Sequence, residues 1–334
     1  MLCLFSDDEE AVMKRGYVFI ALATLFFSTM EIALKVVAGQ FNPVQLNLTR
    51  FCIGGLVLIP FARRMLHRRG VRLEASALCR FALLAFLGIV VSMTLYQLAV
   101  ENTNASVVAV LFSCNPVFVL VFAALILRTR IRGHHTLALV LECLGILILI
   151  NPFNTHIGIM GIFFTLLSTA TFALYTVLGT KLCARYSGVV VTCCSFLFAS
   201  AEMALLVALS RLPAIADVLG RMGLFADIPL FSGYTPVSLV MMLYICVGVT
   251  GAGFAFYFMA MEATSPITAS LVFFFKPALA PLLAFLFLHE AIPFNMVVGI
   301  LLILAGSLVS LIPALSTVPM LMAGRAWAWK RSRA

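Results

Sequence analysis

Charged residues are scarce in this chain, and their scarcity excludes a soluble globular protein. Lys, Arg, Asp and Glu make up 10% of the 334 residues, whereas about 25% is usual in soluble domains. Hydrophobic residues account for 63% of the chain, and the mean hydropathy is +1.14. The composition therefore predicts an integral membrane protein that lies in a lipid bilayer.

Short motifs typical of enzymes are also absent from the sequence. It contains no G-x-x-x-x-G-K-[ST] phosphate loop, no H-E-x-x-H zinc motif and no G-x-S-x-G nucleophile motif. The nine cysteines form no C-x-x-C pair and lie mostly in apolar stretches, where they are typical of small hydrophobic residues. We therefore expect no enzyme activity, no metal, no cofactor and no direct use of ATP.

Acidic residues are fewer than basic ones, 13 against 22, which gives a formal net charge of +9. The basic residues form no stripe interleaved with aromatics, so no nucleic-acid partner follows. They instead indicate topology, because cytoplasmic loops of membrane proteins are enriched in Lys and Arg. If the N-terminus is cytoplasmic, 17 of the 22 lie on the inner side and only Arg211 and Arg221 lie in outer loops. This bias predicts a multi-pass protein of the cell inner membrane with both termini in the cytoplasm.

Ten apolar segments are long enough to cross a hydrocarbon core of roughly 30 Å. They lie near residues 16–38, 43–61, 80–99, 105–127, 134–151, 158–180, 189–210, 238–260, 266–288 and 294–312. Residues 1–15 are predicted to be a cytoplasmic N-terminal tail, and residues 314–334 a basic cytoplasmic C-terminal tail. The loop from Arg211 to Thr235 is the longest connection, and the sequence leaves open whether it forms an interfacial helix or a lid.

An internal repeat organises these segments. Residues across three predicted helices and their loops recur at a constant separation of 161 residues, without a gap. The matched pairs include Tyr96 with Tyr257, Glu101 with Glu262, Phe112 with Phe273, Pro116 with Pro277, Gly145 with Gly306 and Pro152 with Pro313. Chance similarity between apolar segments would not keep this register through the loops, so we interpret it as a duplication.

Each copy holds five helices, and an odd number requires the second copy to enter the membrane from the opposite side. The predicted fold is therefore all-α, with ten transmembrane helices in two inverted-topology repeats, residues 16–152 and 158–313, around a central cavity. Inverted repeats are typical of transporters whose substrate site lies near the midplane. Pro116 and Pro277 are predicted to interrupt the fourth and ninth helices at matching depths, which indicates where such a site lies.

Three C-terminal motifs resemble those of the EamA-type drug/metabolite transporters. They are Ala269-Ser-Leu-Val-Phe-Phe-Phe-Lys-Pro-Ala-Leu-Ala, Leu286-Phe-Leu-His-Glu and Gly299-Ile-Leu-Leu-Ile-Leu-Ala-Gly306. The resemblance implies a basket of ten helices around a central cavity and, in most members, export of amino acids or other small metabolites. Two positions depart from the family pattern, because Phe27-Ser28-Thr29-Met30 replaces a Trp-Gly-Ser-Asn-like signature and Thr129 stands where an acid is expected.

Lys276 is the leading candidate for a substrate-binding or coupling residue. A charge at the centre of a spanning helix is costly and usually faces a cavity or a partner. Its repeat counterpart is Asn115, so both copies place a polar group before a proline at the same depth. A role in binding a substrate carboxylate and a buried ion pair both remain open for Lys276.

Glu31 and Arg50 are the other charged candidates near the predicted midplane. Glu31 and Lys35 are spaced i and i+4, so an intrahelical ion pair competes with a substrate or proton role for Glu31. Arg50 keeps its proton and needs an acid, carbonyl groups or an anionic ligand. Two roles for Arg50 stay open, a structural ion pair with Glu31 and the binding of a substrate carboxylate.

Three tyrosines, Tyr96, Tyr175 and Tyr257, complete the candidate site, with roles as cavity lining or interface anchors left open. Together these residues predict an inner-membrane secondary transporter that exports amino acids or similar small metabolites by alternating access. A proton gradient is the expected driving force, with facilitated diffusion as the open alternative. Efflux of drugs or lipophilic cations is the competing function. The expected partners are a small solute, protons and the bilayer, and the oligomeric state stays open, with a monomer as the simplest case.

Overall fold

The structure is a computed structural model that describes residues 2–126, 128, 133–150, 158–211, 228–263 and 271–309. Within these residues every regular element is helical. The helices are α1 Leu2–Ser28, α2 Met30–Val36, α3 Pro43–Arg69, α4 Ala75–Ala85, α5 Ser92–Asn102, α6 Ala105–Phe112, α7 Asn115–Ile126, α8 Gly133–Ile150, α9 Ile159–Tyr186, α10 Gly188–Leu209, α11 Pro236–Leu243, α12 Phe254–Ala263, α13 Leu271–Leu288 and α14 Phe294–Val309. Two π-helical stretches, Phe86–Val91 and Tyr244–Gly253, join α4 to α5 and α11 to α12.

Seven helical segments are long and apolar enough to cross a membrane, which confirms the prediction of a multi-pass all-α membrane protein. Three shorter apolar helices, Thr136–Leu149, Phe275–Leu288 and Phe294–Val309, coincide with the remaining predicted spans. The count of ten spans stays a prediction. Most of the long loop, residues 212–227, and the predicted C-terminal tail lie outside the described residues.

Three predicted features of helix continuity can be compared with the structure. Residues 2–15 are helical and continue into the first apolar span, and their role as a cytoplasmic tail stays a prediction. The fourth predicted helix is interrupted next to Pro116, because α6 ends at Phe112 and α7 begins at Asn115. The break predicted at Pro277 was wrong, because α13 runs through both Pro277 and Pro281. A proline removes one backbone hydrogen bond, a loss that packed membrane helices tolerate.

An unpredicted break at Thr29 separates α1 from α2. The Thr29 hydroxyl is 2.9 Å from the Phe26 carbonyl oxygen and 2.5 Å from the Tyr244 hydroxyl of the second π-helical stretch. A threonine hydroxyl that bonds its own helix commonly bends it. Helix α2, which follows the break, carries five buried residues, including Glu31.

Helices α8 and α14 approach each other closely at small residues. A Cβ atom added to Gly145 would lie 2.9 Å from the Gly299 carbonyl oxygen, and one added to Gly306 would lie 2.9 Å from the Ala138 carbonyl oxygen. Such close backbone contact between small residues is how membrane helices pack tightly. In the repeat register Gly145 corresponds to Gly306 and Ala138 to Gly299. Each of these two contacts is therefore the counterpart of the other.

Replacing Gly145 by alanine is expected to destabilise the protein by about 1–3 kcal/mol, because its Cβ would press on backbone atoms of Gly299 and Ile303 that cannot move independently. The thermal melting temperature of the detergent-purified protein measures the effect. Gly179→Ala is the matched control, since the added Cβ would meet only Leu84 Cδ1 at 3.7 Å. Equal melting temperatures for the two variants would contradict the tight α8–α14 contact.

Candidate functional site

A buried ion pair joins two helices that are far apart in sequence. The Nζ atom of Lys276 on α13 lies 2.6 Å from Oε1 of Glu31 on α2, and the two side chains are 3% and 1% exposed. Removing two charges from water is unfavourable, and a close, hydrogen-bonded pair offsets much of that cost. The pair therefore explains how a lysine is held within an apolar helix. It also means that any solute reaching either residue must compete with the other.

Tyr96 is the third member of this cluster, which we call the Glu31 triad (Glu31, Tyr96 and Lys276). Its hydroxyl donates a hydrogen bond to the same Oε1 atom of Glu31, and its side chain is fully buried in α5. The Tyr96 ring packs edge-on against Phe112, with the ring centroids 4.9 Å apart. The Lys276 ammonium lies 5.6 Å from the centroid of the Phe112 ring, within the range of a cation–π contact. The second carboxylate oxygen of Glu31 has no hydrogen-bond partner among the described residues.

Arg50 is a fully buried cation beside the triad. Its Nη2 atom lies 3.9 Å from the sulfur atoms of Met30 and Met93, which are weak acceptors. Its Nε and Nη1 atoms have no hydrogen-bond partner among the described residues. An ion pair between Arg50 and Glu31, one of the two roles that the sequence left open for Arg50, is not formed in the described part of the chain, where Lys276 and Tyr96 contact Glu31 instead. In their ordinary charge states, the triad and Arg50 hold two cations and one anion.

Asn115 and Lys276 occupy matching positions in the repeat register, and each contacts a helix of the other half of the chain. The Asn115 side-chain amide donates to the Thr169 carbonyl oxygen of α9 at 3.1 Å. Lys276, in the second half of the chain, reaches α2 in the first half, whereas Asn115, in the first half, reaches α9 in the second. Both residues therefore lie close to a helix from the other half of the chain.

The other two tyrosines lie outside the triad. Tyr257 packs among aromatic rings, with centroids 6.2 Å from Phe27 and 5.5 Å from Phe273. The Tyr175 hydroxyl donates to Ser195 Oγ at 3.4 Å, and the Tyr175 ring is 5.4 Å from that of Phe172. Tyr257 therefore belongs to an aromatic layer next to α13, while Tyr175 connects α9 to α10.

The intrahelical pair that the spacing of Glu31 and Lys35 favours is not formed. Lys35 Nζ instead donates to the carbonyl oxygens of Val100 and Thr103 at 2.7 Å each, at the C-terminal end of α5. Exposed carbonyl groups at a helix end attract a cation, and the side chain of Lys35 is long enough to reach them. Glu31 is consequently free to pair with Lys276.

A cavity opens at the end of the bundle where Arg15, Arg64 and Arg68 lie, which we call the arginine-rich end. Its volume is about 430 Å³, and it is lined by these three arginines and by side chains of α1, α3, α10 and α12. Its apolar walls include Phe19 of α1 and Phe258 of α12. A second cleft of about 540 Å³ lies between α1 and α13 and is lined mostly by apolar atoms. In the described part of the chain, no three His, Cys, Asp or Glu side chains are grouped to hold a metal ion.

A bundle of apolar helices that buries an ion pair and a further cation is typical of a membrane transporter. Comparison with known proteins supports this class. The sequence pattern of the EamA-like transporter family matches the chain twice, at residues 14–151 and 159–312. The chain belongs to this family, and it is a membrane transporter and not an enzyme.

Individual relatives agree with the family. An "Uncharacterized transporter" of Clostridium kluyveri is 37% identical over 306 residues, which cover 89% of this chain and 93% of that protein. Human "Solute carrier family 35 member F4" is 35% identical over 85 residues, 25% of this chain and 16% of that protein. A solved structure titled "Crystal structure of protein" has a TM-score of 0.60 at 19% identity and covers 92% of this chain and 99% of that one. This last similarity concerns the fold alone.

Proposed function

We propose that this chain is a secondary transporter of the cell inner membrane that exports amino acids or similar small carboxylate-bearing metabolites by alternating access. The observation that carries the proposal is Arg50, whose Nε and Nη1 nitrogens have no hydrogen-bond partner among the described residues and lie beside the buried Glu31 triad. A buried cation without an acid is costly unless an anionic ligand completes it. A solute carboxylate supplies the missing anion, and Lys276 can bind it when the pair with Glu31 opens.

Matched features of the two halves support inverted repeats in this proposal. The two family matches divide the chain near residue 155. The first π-helical stretch, Phe86–Val91, corresponds in the repeat register to residues 247–252, which lie within the second. Paired contacts between α8 and α14 and the crossed contacts of Asn115 and Lys276 follow the same relation. Two halves related by a pseudo-two-fold axis would place the Glu31 triad between them.

The arginine-rich end supports the proposed direction of transport. An excess of arginine marks the cytoplasmic side, and the cavity of about 430 Å³ opens at this end. We therefore place the loading side in the cytoplasm. In this cycle Glu31 alternates between its pair with Lys276 and a bound proton, which leaves Lys276 to the solute carboxylate, and facilitated diffusion is the uncoupled case.

Efflux of lipophilic cations is the alternative function. Such a site would need a net acidic charge and aromatic walls, and the aromatic layer around Tyr257 meets the second requirement. The first is not met by the described residues, because Lys276 and Arg50 outnumber Glu31 around the triad. The charge balance favours a carboxylate.

Purified protein in liposomes tests the proposal with labelled zwitterionic amino acids, monocarboxylates, dicarboxylates and lipophilic cations. We expect flux of at least one carboxylate class and none of the cations. Lys276→Asn, which makes position 276 resemble Asn115, is expected to change which carboxylates are carried. Flux of cations alone, or unchanged selectivity in Lys276→Asn, would contradict the proposed role of the site.

A further inference from the structure

Glu290 makes three hydrogen bonds to the start of a neighbouring helix. Its carboxylate accepts from the Ala105 amide at 2.8 Å, from the Ser106 amide at 3.0 Å and from the Ser106 hydroxyl at 2.6 Å. Ala105 and Ser106 are the first two residues of α6, whereas Glu290 follows α13. A carboxylate at a helix N-terminus satisfies free amide groups and complements the helix dipole. Glu290 thus ties the end of α13 to the start of α6.

Lys35 holds the other side of the same turn. It caps the carbonyl end of α5 through Val100 and Thr103, and α6 begins two residues after Thr103. A cation at the C-terminal end of one helix and an anion at the N-terminal end of the next therefore fix the α5–α6 turn between them. The Glu31 triad lies deeper in the bundle, on α2, α5 and α13.

The residues at the three repeat-related positions lack every group that makes this contact. In the repeat register Glu290 corresponds to Thr129, Ala105 to Pro266 and Ser106 to Ile267. Thr129 has no carboxylate, Pro266 has no amide N–H, and Ile267 has no hydroxyl. The three repeat-related residues therefore cannot reproduce this carboxylate cap.

We infer that Glu290 is a gating residue that holds the end opposite the arginine-rich end closed in the resting protein. Glu290 ties this end, and the cavity of about 430 Å³ lies at the arginine-rich end, so in this inference the solute approaches the Glu31 triad from the arginine-rich side. Opening the tied end requires Glu290 to leave α6, which the cycle brings about after the solute has entered. The inference rests on the alternating-access cycle proposed above. It adds Glu290 as the residue that determines which end of the protein is closed at rest.

Thiol accessibility tests the gate without a transport assay. Thr94 on α5 is buried beyond the α5–α6 turn, and Asn104 within the turn is exposed. Asn104→Cys in intact cells shows which face of the membrane this end occupies. An impermeant maleimide is then added to that face of Thr94→Cys protein, and modification at position 94 is read by peptide mass spectrometry. We expect Glu290→Gln to raise the modification rate roughly tenfold, since it removes a charge-assisted cap. Ser106→Ala should raise it roughly threefold.

Glu74→Gln is the control, because it removes an exposed acid that is paired with Arg185 elsewhere in the structure. Its rate should equal that of the parent protein. Unchanged rates in both Glu290→Gln and Ser106→Ala would overturn the inference, as would an equal rise in Glu74→Gln. If Glu290→Gln does not fold, Ser106→Ala still decides the question. If the variants label faster but the protein carries none of the tested solutes, the gate is supported and the proposed function is contradicted. If the protein carries solutes but the variants label at the parent rate, the proposed function is supported and the gate is contradicted.

Discussion

Glu31→Gln is expected to lower the free energy of unfolding by about 3–5 kcal/mol, the usual cost of leaving a buried charge without its partner. Lys276 would keep its position 3% exposed within the bundle, but without the carboxylate that lies 2.6 Å away. Transport should fall to background, because the positive charge of Lys276 would no longer be matched by a negative charge within the triad. Thermal unfolding in detergent and solute flux in liposomes measure the two effects separately.

The double variant Glu31→Gln and Lys276→Met separates a structural role from a functional one. Neutral side chains of similar volume commonly replace a buried ion pair without loss of stability. Glutamine also retains an acceptor for the Tyr96 hydroxyl, which bonds Glu31 in the native protein. We therefore expect the melting temperature to recover to near that of the native protein while transport stays absent. Recovery of both would show that the pair serves packing alone.

Arg50→Met is expected to leave stability unchanged or to raise it, and yet to reduce transport on the order of 100-fold. The guanidinium is 1% exposed, and its Nε and Nη1 atoms find no partner among the described residues. Methionine removes the desolvation cost of that charge. Loss of a buried charge that binds a solute carboxylate typically costs about 2–5 kcal/mol of affinity. Melting temperature and solute affinity should thus change in different directions.

Arg185→Met is the matched control for Arg50→Met. Arg185 is half exposed and pairs with Glu74, and exposed pairs contribute about 0–1 kcal/mol. Neither stability nor transport should change by much. A large loss of stability in Arg50→Met, comparable with that of Glu31→Gln, would show that Arg50 has a structural partner and contradict its role in binding.

Much of the fold is predictable from hydropathy, because each apolar run must satisfy its backbone in lipid by forming a helix. Among the described residues, seven helical segments are long enough to cross a membrane on their own, and three shorter apolar helices lie within the other predicted spans. Local features were harder to predict. At the break, Thr29 contacts Tyr244, which is 215 residues away in the sequence, and α13 continues through Pro277 although the paired prolines predicted a break there.

The sequence predicted which residues belong to the candidate site, but not how they pair with one another. Glu31, Arg50, Tyr96 and Lys276 are polar groups in apolar spans, and burial of such groups is rare enough to indicate a site. The i, i+4 spacing favoured Lys35 as the partner of Glu31, yet Lys35 bonds the carbonyl end of α5. Pairing of Glu31 with Lys276 follows from tertiary packing, which local spacing does not contain.

Equilibrium binding of a transported carboxylate tests the central claim most directly. The ligand is the labelled solute that the native protein carries best, and binding is compared between the native protein and the double variant Glu31→Gln and Lys276→Met. Because the two proteins are expected to be equally stable, a difference in affinity reports the site alone. We predict binding on the order of 100-fold weaker in the double variant. Equal affinity in the two proteins would contradict the assignment of the Glu31 triad as the solute-binding centre.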